Sequence, residues 1–304
     1  MPEINFIYPP GAPDPSIGSP NNADYNPRPM STDPSRKFTM ADLRAARASG
    51  TKVPMLTCYD YTTARLMQEA GIPALLVGDS AANVILGHPT TLPVTLDFMI
   101  EITAAARRGA PKCLLISDMP FGSYQASVPQ GVKNVIRMVQ LSGCDCVKIE
   151  AAGSHLRLVR RLSDAGIAVM AHVGLRPQSI GLLGEYKAQG RTAAEAEQIV
   201  ESASRLARAG AAAILLEAVP PELAATVVET VSIPVIGCGA GPACHGYVFV
   251  THDALGLSPR KPKFAPVLGD LAAPMIESFR TYIRMVHDGK YPAPEHNYEK
   301  PPGK

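Results

Sequence analysis

Several apolar segments of strand length end in a side chain that can carry charge or transfer a proton. These side chains, with one serine beside the first, are Asp79, Ser80, Asp118, Lys148, Glu150, His172 and Glu217. A charge placed among buried strands is costly unless it is paired or bound to a metal. We therefore expect these residues to share one site, where carboxylates converge with a single lysine.

Such a group of carboxylates suits a hard cation. Mg²⁺ prefers oxygen ligands and keeps water or substrate oxygens in its shell. A bound Mg²⁺ can chelate a 2-oxo acid through its keto and carboxylate oxygens and act as a Lewis acid. This lowers the barrier to removal of the C3 proton and stabilises the enolate that results. The residue types therefore predict enolate chemistry on a small substrate.

The charged residues on the second, third and fourth segments also have simpler interpretations. Asp79 and Asp118 could each cap the helix that follows, although their equivalent positions on neighbouring strands favour a metal site. Lys148 and Glu150 could form a plain ion pair. Their spacing of two residues puts both side chains on one face of a strand, so such a pair would be buried.

The last two candidates are less specific. Without its context, His172 is better explained as a hydrogen-bonded core histidine than as a catalytic group. Glu217 could be an exposed cap for the next helix, because two prolines follow it closely.

The segments that must position these residues alternate between continuous apolar runs and stretches with the spacing of an amphipathic helix. Continuous apolar runs predict strands at 53–58, 73–78, 112–117, 146–150, 167–173, 212–217, 233–238 and 247–250. Helical spacing predicts helices at 40–49, 61–70, 97–108, 129–141, 154–165, 193–209, 221–230 and 269–288. For the first helix, Thr39 is the expected N-cap and Gly50 the expected end.

Apolar runs of this kind indicate strands that are buried on both faces. Eight of them with helices between favour a closed (β/α)₈ barrel of the TIM type, whose active site lies at the C-terminal ends of the strands. The link at 239–246 is too short for a full helix, which sets the eighth unit apart from the other seven. A dinucleotide-binding fold is disfavoured, because no Gly-x-Gly-x-x-Gly follows the first strand.

The two ends of the chain differ from its centre. Residues 1–36 are rich in Pro, Asn, Ser and Asp, which predicts a disordered arm or one that docks on the barrel or on a neighbouring subunit. The tail at 291–304 has a similar composition, which leaves 37–290 as the catalytic domain.

Composition limits the partners. A net charge of +2 gives no indication of nucleic acid or of a membrane surface. No apolar run is long enough to span a bilayer, and the N-terminus does not read as a secretory signal. The 6 cysteines form no Cys-x-x-Cys pair, which favours reduced thiols in a cytoplasmic protein.

Longer motifs then indicate a family. In order, the chain contains VPMLTCYDYTTARL, VGDS, SDMPFGSY, VKIE, AHVGLRPQS, EYKAQGR, LLEAVP and IPVIGCGAGPACHG. These segments resemble those of the ketopantoate hydroxymethyltransferase family, over about residues 38–290. The resemblance implies a barrel of the phosphoenolpyruvate/pyruvate type and a large homo-oligomer, a decamer in the family. It also implies hydroxymethyl transfer from 5,10-methylenetetrahydrofolate to 3-methyl-2-oxobutanoate, which gives 2-dehydropantoate for pantothenate biosynthesis.

The resemblance also implies roles for individual residues. The metal ligands would be Asp79 and Asp118, with a contribution from Glu150, and Glu217 would be the proton acceptor. Substrate contacts fall on Asp79, Ser80, Asp118 and Lys148, and His172 lies in the pocket.

Some motifs depart from the family pattern, although none of the departures removes a predicted ligand or the proton acceptor. The altered stretches are 81–83, Pro89, 151–152, Arg176 and 245–247. They leave open a paralogue that acts on a related 2-oxo acid. A C–C or P–C lyase or mutase of the same superfamily is a further alternative, which the missing Lys-Lys/Arg-Cys-Gly-His loop disfavours. A non-catalytic paralogue is disfavoured because the candidate residues are present.

Overall fold

The structure is a computed structural model that describes residues 36–151, 153–259 and 261–298. The predicted N-terminal arm lies outside this range except for its last residue. Residues 299–304 of the predicted tail also lie outside it.

Eight parallel strands form a closed barrel, in which each strand pairs with the next and the eighth pairs with the first. They are β1 (Val53–Thr57), β2 (Ala74–Val77), β3 (Leu114–Asp118), β4 (Cys146–Glu150), β5 (Ala168–Gly174), β6 (Ala213–Glu217), β7 (Val235–Cys238) and β8 (Gly246–Tyr247). Strands β2, β3 and β4 are buried along their whole length, as expected for strands covered on both faces. The predicted TIM barrel is confirmed.

Helices surround the barrel, and the apolar core fills the space between the two layers. They are α1 (Met40–Ser49), α2 (Tyr61–Glu69), α3 (Ala81–Val84), α4 (Leu96–Gly109), α5 (Val128–Ser142), α6 (Leu156–Asp164), α7 (Ile180–Leu183), α8 (Ala193–Arg208), α9 (Pro221–Thr230), α10 (Thr251–Ala254) and α11 (Ala272–His287). Every long helix predicted from the sequence is present. The short helices α3, α7 and α10 were not predicted, because four residues are too few to show a helical period.

The first helix confirms its predicted boundaries. Thr39 and Asp42 form a capping box, in which each side chain accepts from the backbone N–H of the other. Gly50 ends the helix in the left-handed conformation, with φ 73°.

The eighth strand is shorter than predicted: the ladder occupies Gly246–Tyr247 and not 247–250. The reason lies in the residues that follow. Thr251 begins α10, and its N–H and hydroxyl donate to Oγ1 and the carbonyl of Thr57 at 2.9 and 2.7 Å. These bonds direct the chain over the end of β1 and away from the ladder.

Barrel closure depends on a residue without a side chain. Gly246 pairs with Val53 where β8 meets β1. A Cβ at Gly246 would lie 2.4 Å from the carbonyl oxygen of Val53 and 2.9 Å from Cδ1 of Ile236. Only glycine allows this approach without displacement of backbone atoms.

The last helix has a different character from the others. Helix α11 has no buried residue, and its exposed apolar side chains include Met275, Ile276, Phe279 and Tyr282. The ring of Tyr291, at the start of the predicted tail, packs edge-on against Tyr282 with 5.6 Å between centroids.

All 6 cysteines are free thiols. Within residues 36–298, apart from 152 and 260, no helix is both long and apolar enough to span a bilayer.

We expect Gly246→Ala to destabilise the barrel by about 1–3 kcal/mol, the usual cost of overpacking. The measurement is the free energy of unfolding from chemical denaturation. Gly181→Ala, in the exposed helix α7, is the control, because a Cβ there meets nothing within 4 Å. Equal stability of the two variants would show that the β1–β8 contact does not limit closure.

Candidate active site

Two aspartates meet at the C-terminal ends of β2 and β3. Asp79 follows β2 after Gly78, and Asp118 is the last residue of β3. The backbone N–H of Asp79 donates to Oδ2 of Asp118 at 3.0 Å, and both side chains are buried. The N-cap positions of α3 and α5 belong to Ser80 and Ser127. The helix-capping interpretation of the two aspartates is therefore wrong.

Strand β4 contributes the lysine and an acid. The strand register places Lys148 opposite Asp118, and Nζ of Lys148 lies 2.9 Å from Oδ2 of Asp118. Both carboxylate oxygens of Glu150 instead accept from the backbone N–H of Gln178, at 3.2 and 3.0 Å. The buried ion pair thus joins Lys148 to Asp118 and not to Glu150.

Each aspartate has one oxygen occupied by donors. Oδ2 of Asp118 accepts from Lys148 and from the Asp79 backbone, whereas its Oδ1 is buried without a hydrogen-bond partner in the described part of the chain. Oδ2 of Asp79 accepts from Nε2 of Gln178 at 2.8 Å. A buried carboxylate oxygen without a donor is costly unless a ligand contacts it.

This donor set suits a cation that needs few protein ligands. Among the described residues, no three His, Cys, Asp or Glu side chains are grouped as a metal-binding set. Mg²⁺ does not require one, because it is usually bound through one or two carboxylates and keeps waters or substrate oxygens. Asp79 and Asp118 fit this pattern. Glu150 lies close to them, because Gln178 donates hydrogen bonds to both Glu150 and Asp79.

Ser80 lies beside Asp79 and is oriented from β1. Its hydroxyl is 2.8 Å from the hydroxyl of Tyr59, a buried residue two positions after the strand. This contact fixes Ser80 at the edge of the acidic group.

The predicted histidine is buried between two acids. His172 is 1% exposed; its Nε2 lies 3.3 Å from Oε2 of Glu217, and its Nδ1 lies 4.0 Å from Oε1 of Glu150. Neither ring nitrogen makes a well-aligned hydrogen bond within the described residues. Burial, aided by the charges of Lys148 and Arg176, lowers the pKa of His172 well below its ordinary value. The ring is therefore neutral, with one nitrogen as a donor and the other as an acceptor.

Glu217 closes the site from the far side, at the end of β6. Its side chain is 19% exposed, against 3% for those of Glu150 and Asp118. Helix α9 has Pro220 at its N-cap and no side-chain cap, so the capping interpretation of Glu217 is wrong.

The residue after Glu217 adopts a rare backbone conformation. Ala218 has φ 49° and is the non-glycine residue with positive φ in the described part of the chain. Two backbone hydrogen bonds hold it: its N–H donates to Cys238 and its carbonyl accepts from Gln189, both at 2.8 Å. Strain of this kind is retained where surrounding structure fixes a functional geometry, and here it fixes the turn behind Glu217.

Burial shifts three of the acids toward protonation. Burial raises the pKa of Glu217 to about 7 against the opposing charge of Lys148. Burial also raises the pKa of Asp118 and Glu150, where Lys148 opposes the effect and Asp79 adds to it. Burial alone would lower the pKa of Lys148, but Asp118, Asp79 and Glu150 raise it above its ordinary value. Four carboxyl groups thus lie near one ammonium group, and full ionisation of the acids would need a further positive charge.

All seven predicted residues therefore belong to one connected group. The sequence did not single out three uncharged members: Tyr59, Tyr124 and Gln178. None of them can hold charge at neutral pH, so a search for ionisable strand ends passes over them. The position of Gln178, just after the end of β5, is the signal that could have found it.

A surface depression lies elsewhere, between α8 and α9. It encloses about 740 Å³ and is lined by residues such as Arg191, Glu197, Glu201 and Glu222, all of them exposed. None of the predicted site residues lines it, and its charged groups are solvated.

The fold and the acidic strand ends define a class of protein. The barrel is similar to 2,3-dimethylmalate lyase, of the PEP mutase/isocitrate lyase superfamily (TM-score 0.55, 19% identity, 84% of this chain and 92% of that chain). It is also similar to phosphonopyruvate hydrolase (TM-score 0.55, 15% identity, 85% and 93%). The likeness agrees with the predicted (β/α)₈ barrel. At these identities the likeness concerns the fold alone.

Sequence comparison gives the family. The profile of ketopantoate hydroxymethyltransferase matches residues 37–294. A 3-methyl-2-oxobutanoate hydroxymethyltransferase from Trichlorobacter lovleyi is 45% identical over 264 residues, which are 86% of this chain and 99% of the relative. The relative of the same name from Thermobifida fusca is 43% identical, over 86% of this chain and 94% of its own length. The chain belongs to the ketopantoate hydroxymethyltransferase family and is a transferase, which confirms the predicted family over the lyase and mutase alternative.

We expect Lys148→Met to make stability strongly dependent on pH. Without the ammonium group, burial raises the pKa of the acids further, and a raised folded-state pKa means that stability is lost as pH rises. The free energy of unfolding of the variant should be close to that of the wild type near about pH 5. Near about pH 8 it should be about 3–5 kcal/mol lower, because a buried ion pair has lost one partner. Lys133→Met, on the exposed face of α5, is the control. A deficit that does not change with pH would contradict this electrostatic account.

Proposed function

We propose that this chain transfers a hydroxymethyl group from 5,10-methylenetetrahydrofolate to 3-methyl-2-oxobutanoate, giving 2-dehydropantoate for pantothenate biosynthesis. The supporting observation is that all seven residues expected for this chemistry lie in one connected group in a chain of this family. The reaction proceeds through the enolate of the 2-oxo acid.

Mg²⁺ is the proposed metal. Asp79 and Asp118 would hold it directly, because Oδ1 of Asp118 is buried without a hydrogen-bond partner among the described residues and Asp79 lies beside it. Glu150 would contribute through its link to Gln178, which also contacts Asp79. When bound, Mg²⁺ supplies Lewis-acid polarisation of the keto and carboxylate oxygens of the substrate. Lys148 neutralises part of the acidic charge and holds Asp118 at 2.9 Å.

The remaining polar groups orient the 2-oxo acid. Ser80 presents a hydroxyl next to Asp79, and Lys148 places an ammonium group beside Asp118. Neutral His172 offers an N–H to an oxygen of the substrate without adding charge.

Glu217 is the proposed proton acceptor. With its pKa raised to about 7 by burial, the carboxylate can accept the C3 proton near neutral pH. Water adds to the methylene carbon of the folate, and the bonds from this carbon to N5 and N10 break as the nitrogens take up protons, which releases tetrahydrofolate and a one-carbon unit at the formaldehyde level. The electron pair left at C3 then attacks the carbonyl carbon of this unit, and the resulting alkoxide takes the proton held by Glu217.

The direct test is proton exchange at C3 without folate. The protein is incubated with 3-methyl-2-oxobutanoate and Mg²⁺ in D₂O, and the C3 proton is followed by NMR. We expect exchange to require the divalent cation and to rise with pH through about 7, because Glu217 must lose its proton to act. Glu217→Gln should slow exchange by about 10²–10⁴-fold with unchanged metal affinity.

The matched control is Glu222→Gln, an exposed acid in the first turn of α9. Full exchange in excess chelator would exclude the metal-dependent step. Near-normal exchange by Glu217→Gln would remove Glu217 from catalysis, and a large loss of metal affinity in this variant would assign it to the metal instead.

The proposed catalytic domain is 37–290, which lies within the range that the family profile matches. The arm at 1–36 and the tail at 291–304 are proposed to be dispensable for the chemistry. A cytoplasmic location is proposed from the six free thiols.

We also propose a homo-oligomer, a decamer by analogy with the family. The exposed apolar side chains of α11 support association, since a contiguous patch of this kind is characteristic of interaction surfaces.

Replacement of Phe279 by Glu should therefore reduce the native mass of the protein, because Phe279 is 60% exposed at the centre of this patch. The native mass is measured by analytical ultracentrifugation. Thr281→Glu, two residues further along the same helix, is the control. A wild-type chain that sediments as a monomer would contradict the assembly.

A further inference from the structure

The uncharged side chain of Gln178 contacts Asp79 and uses all of its hydrogen-bonding groups. Gln178 is 7% exposed and lies in a short 3₁₀ turn (Pro177–Ser179) after β5. Its Nε2 donates to Oδ2 of Asp79 at 2.8 Å and to the carbonyl of Met119 at 3.0 Å. Its Oε1 accepts from the hydroxyl of Tyr124 at 2.7 Å and from Nε2 of Gln125 at 3.1 Å.

These four partners determine which way the amide faces. A carboxamide has two N–H donors and one oxygen with two lone pairs, and here each is used once. Rotating the amide by half a turn would place its oxygen against a carboxylate and a carbonyl, both of them acceptors. The orientation that donates to Asp79 is therefore the one that the surroundings allow.

The backbone of the same residue holds a second acid. The N–H of Gln178 donates to both oxygens of Glu150. One residue after β5 thus connects an acid that follows β2 with an acid at the end of β4. Because the side chain serves Asp79 and the backbone serves Glu150, a side-chain substitution affects the first contact and leaves the second in place.

The chemical type of this donor matters. Lys148 holds Asp118 with a positive charge, which cancels much of the charge of that aspartate. The amide of Gln178 fixes Asp79 without cancelling its charge. The amide contact therefore occupies Oδ2 of Asp79 and takes away none of its charge. Ligands held in place before binding lose less entropy when the ion arrives.

We propose that Gln178 is the positioning residue of the metal site, which orients Asp79 for the divalent cation. The inference rests on the proposed function, because it takes Asp79 as a ligand. Hydrogen-bond partners of metal ligands typically contribute about 10–100-fold in metal affinity.

The test uses Gln178→Met, which keeps the length of the side chain and removes both donors. Binding of Mn²⁺ to the protein without substrate is measured by electron paramagnetic resonance. We expect affinity to fall by about 10–100-fold. The Mg²⁺ concentration for half-maximal C3 exchange should rise by the same factor, with the rate at saturating Mg²⁺ largely recovered.

Two further variants separate positioning from a merely structural role. Tyr124→Phe removes a donor from the oxygen side of the amide and leaves both contacts made by Nε2, so Mn²⁺ affinity should fall much less. Gln178→Asn keeps the amide but is one methylene too short to reach Asp79, so it should behave like Gln178→Met. It also serves as the test variant if Gln178→Met does not fold.

The outcomes distinguish this inference from the proposed function. Wild-type protein that binds no Mn²⁺ and exchanges no C3 proton would overturn the function itself. Wild-type protein that does both, with folded Gln178→Met equal to it in Mn²⁺ affinity, would overturn the role of Gln178 alone. A loss in Tyr124→Phe as large as that in Gln178→Met would likewise overturn it, because the loss would not follow the contact with Asp79.

Discussion

Four carboxyl groups lie around one ammonium group at the mouth of a barrel that is otherwise apolar. Burial penalises each charge, and only Asp118 has an ion pair with Lys148. The others are held by neutral donors or lie beside a neutral histidine. Burial explains the raised pKa values of Asp118, Glu150 and Glu217. The several carboxyl groups around one ammonium group explain why a divalent cation suits the site. Glu217 lies away from the two aspartates and next to His172, so its role can differ from theirs.

The barrel provides the rigidity that such a site needs. Parallel strands in register bring Asp118 beside Lys148 across β3 and β4, and they bring the end of β6 beside the end of β5. Closure at Gly246 fixes β1, which in turn places Tyr59 against Ser80. The strained turn at Ala218 fixes the direction of Glu217. Contacts far apart in the sequence therefore determine the positions of the charged groups.

Much of this arrangement could be predicted from the sequence. Apolar runs located all eight strands, and the charged residues at their ends identified the acids, the lysine and the histidine. The pattern could not show which acid pairs with Lys148, because that depends on the register between strands. It also missed Gln178, since an uncharged amide has no distinctive signature until its partners are placed around it. Strand β8 is shorter than predicted, because hydrogen bonds from Thr251 to Thr57 direct the chain away from the barrel. These residues are almost two hundred positions apart, so the sequence pattern does not reveal the contact.

The central claim is that the uncompensated charge at the barrel mouth binds a divalent cation through Asp79 and Asp118. Titration of the protein with Mn²⁺, followed by electron paramagnetic resonance, tests this directly. The account predicts one bound ion per chain, displaced by Mg²⁺, and loss of this ion when both aspartates are replaced by asparagine in a protein that remains folded. A wild-type chain that binds no ion, or a double variant that binds it as tightly as the wild type, would contradict the account.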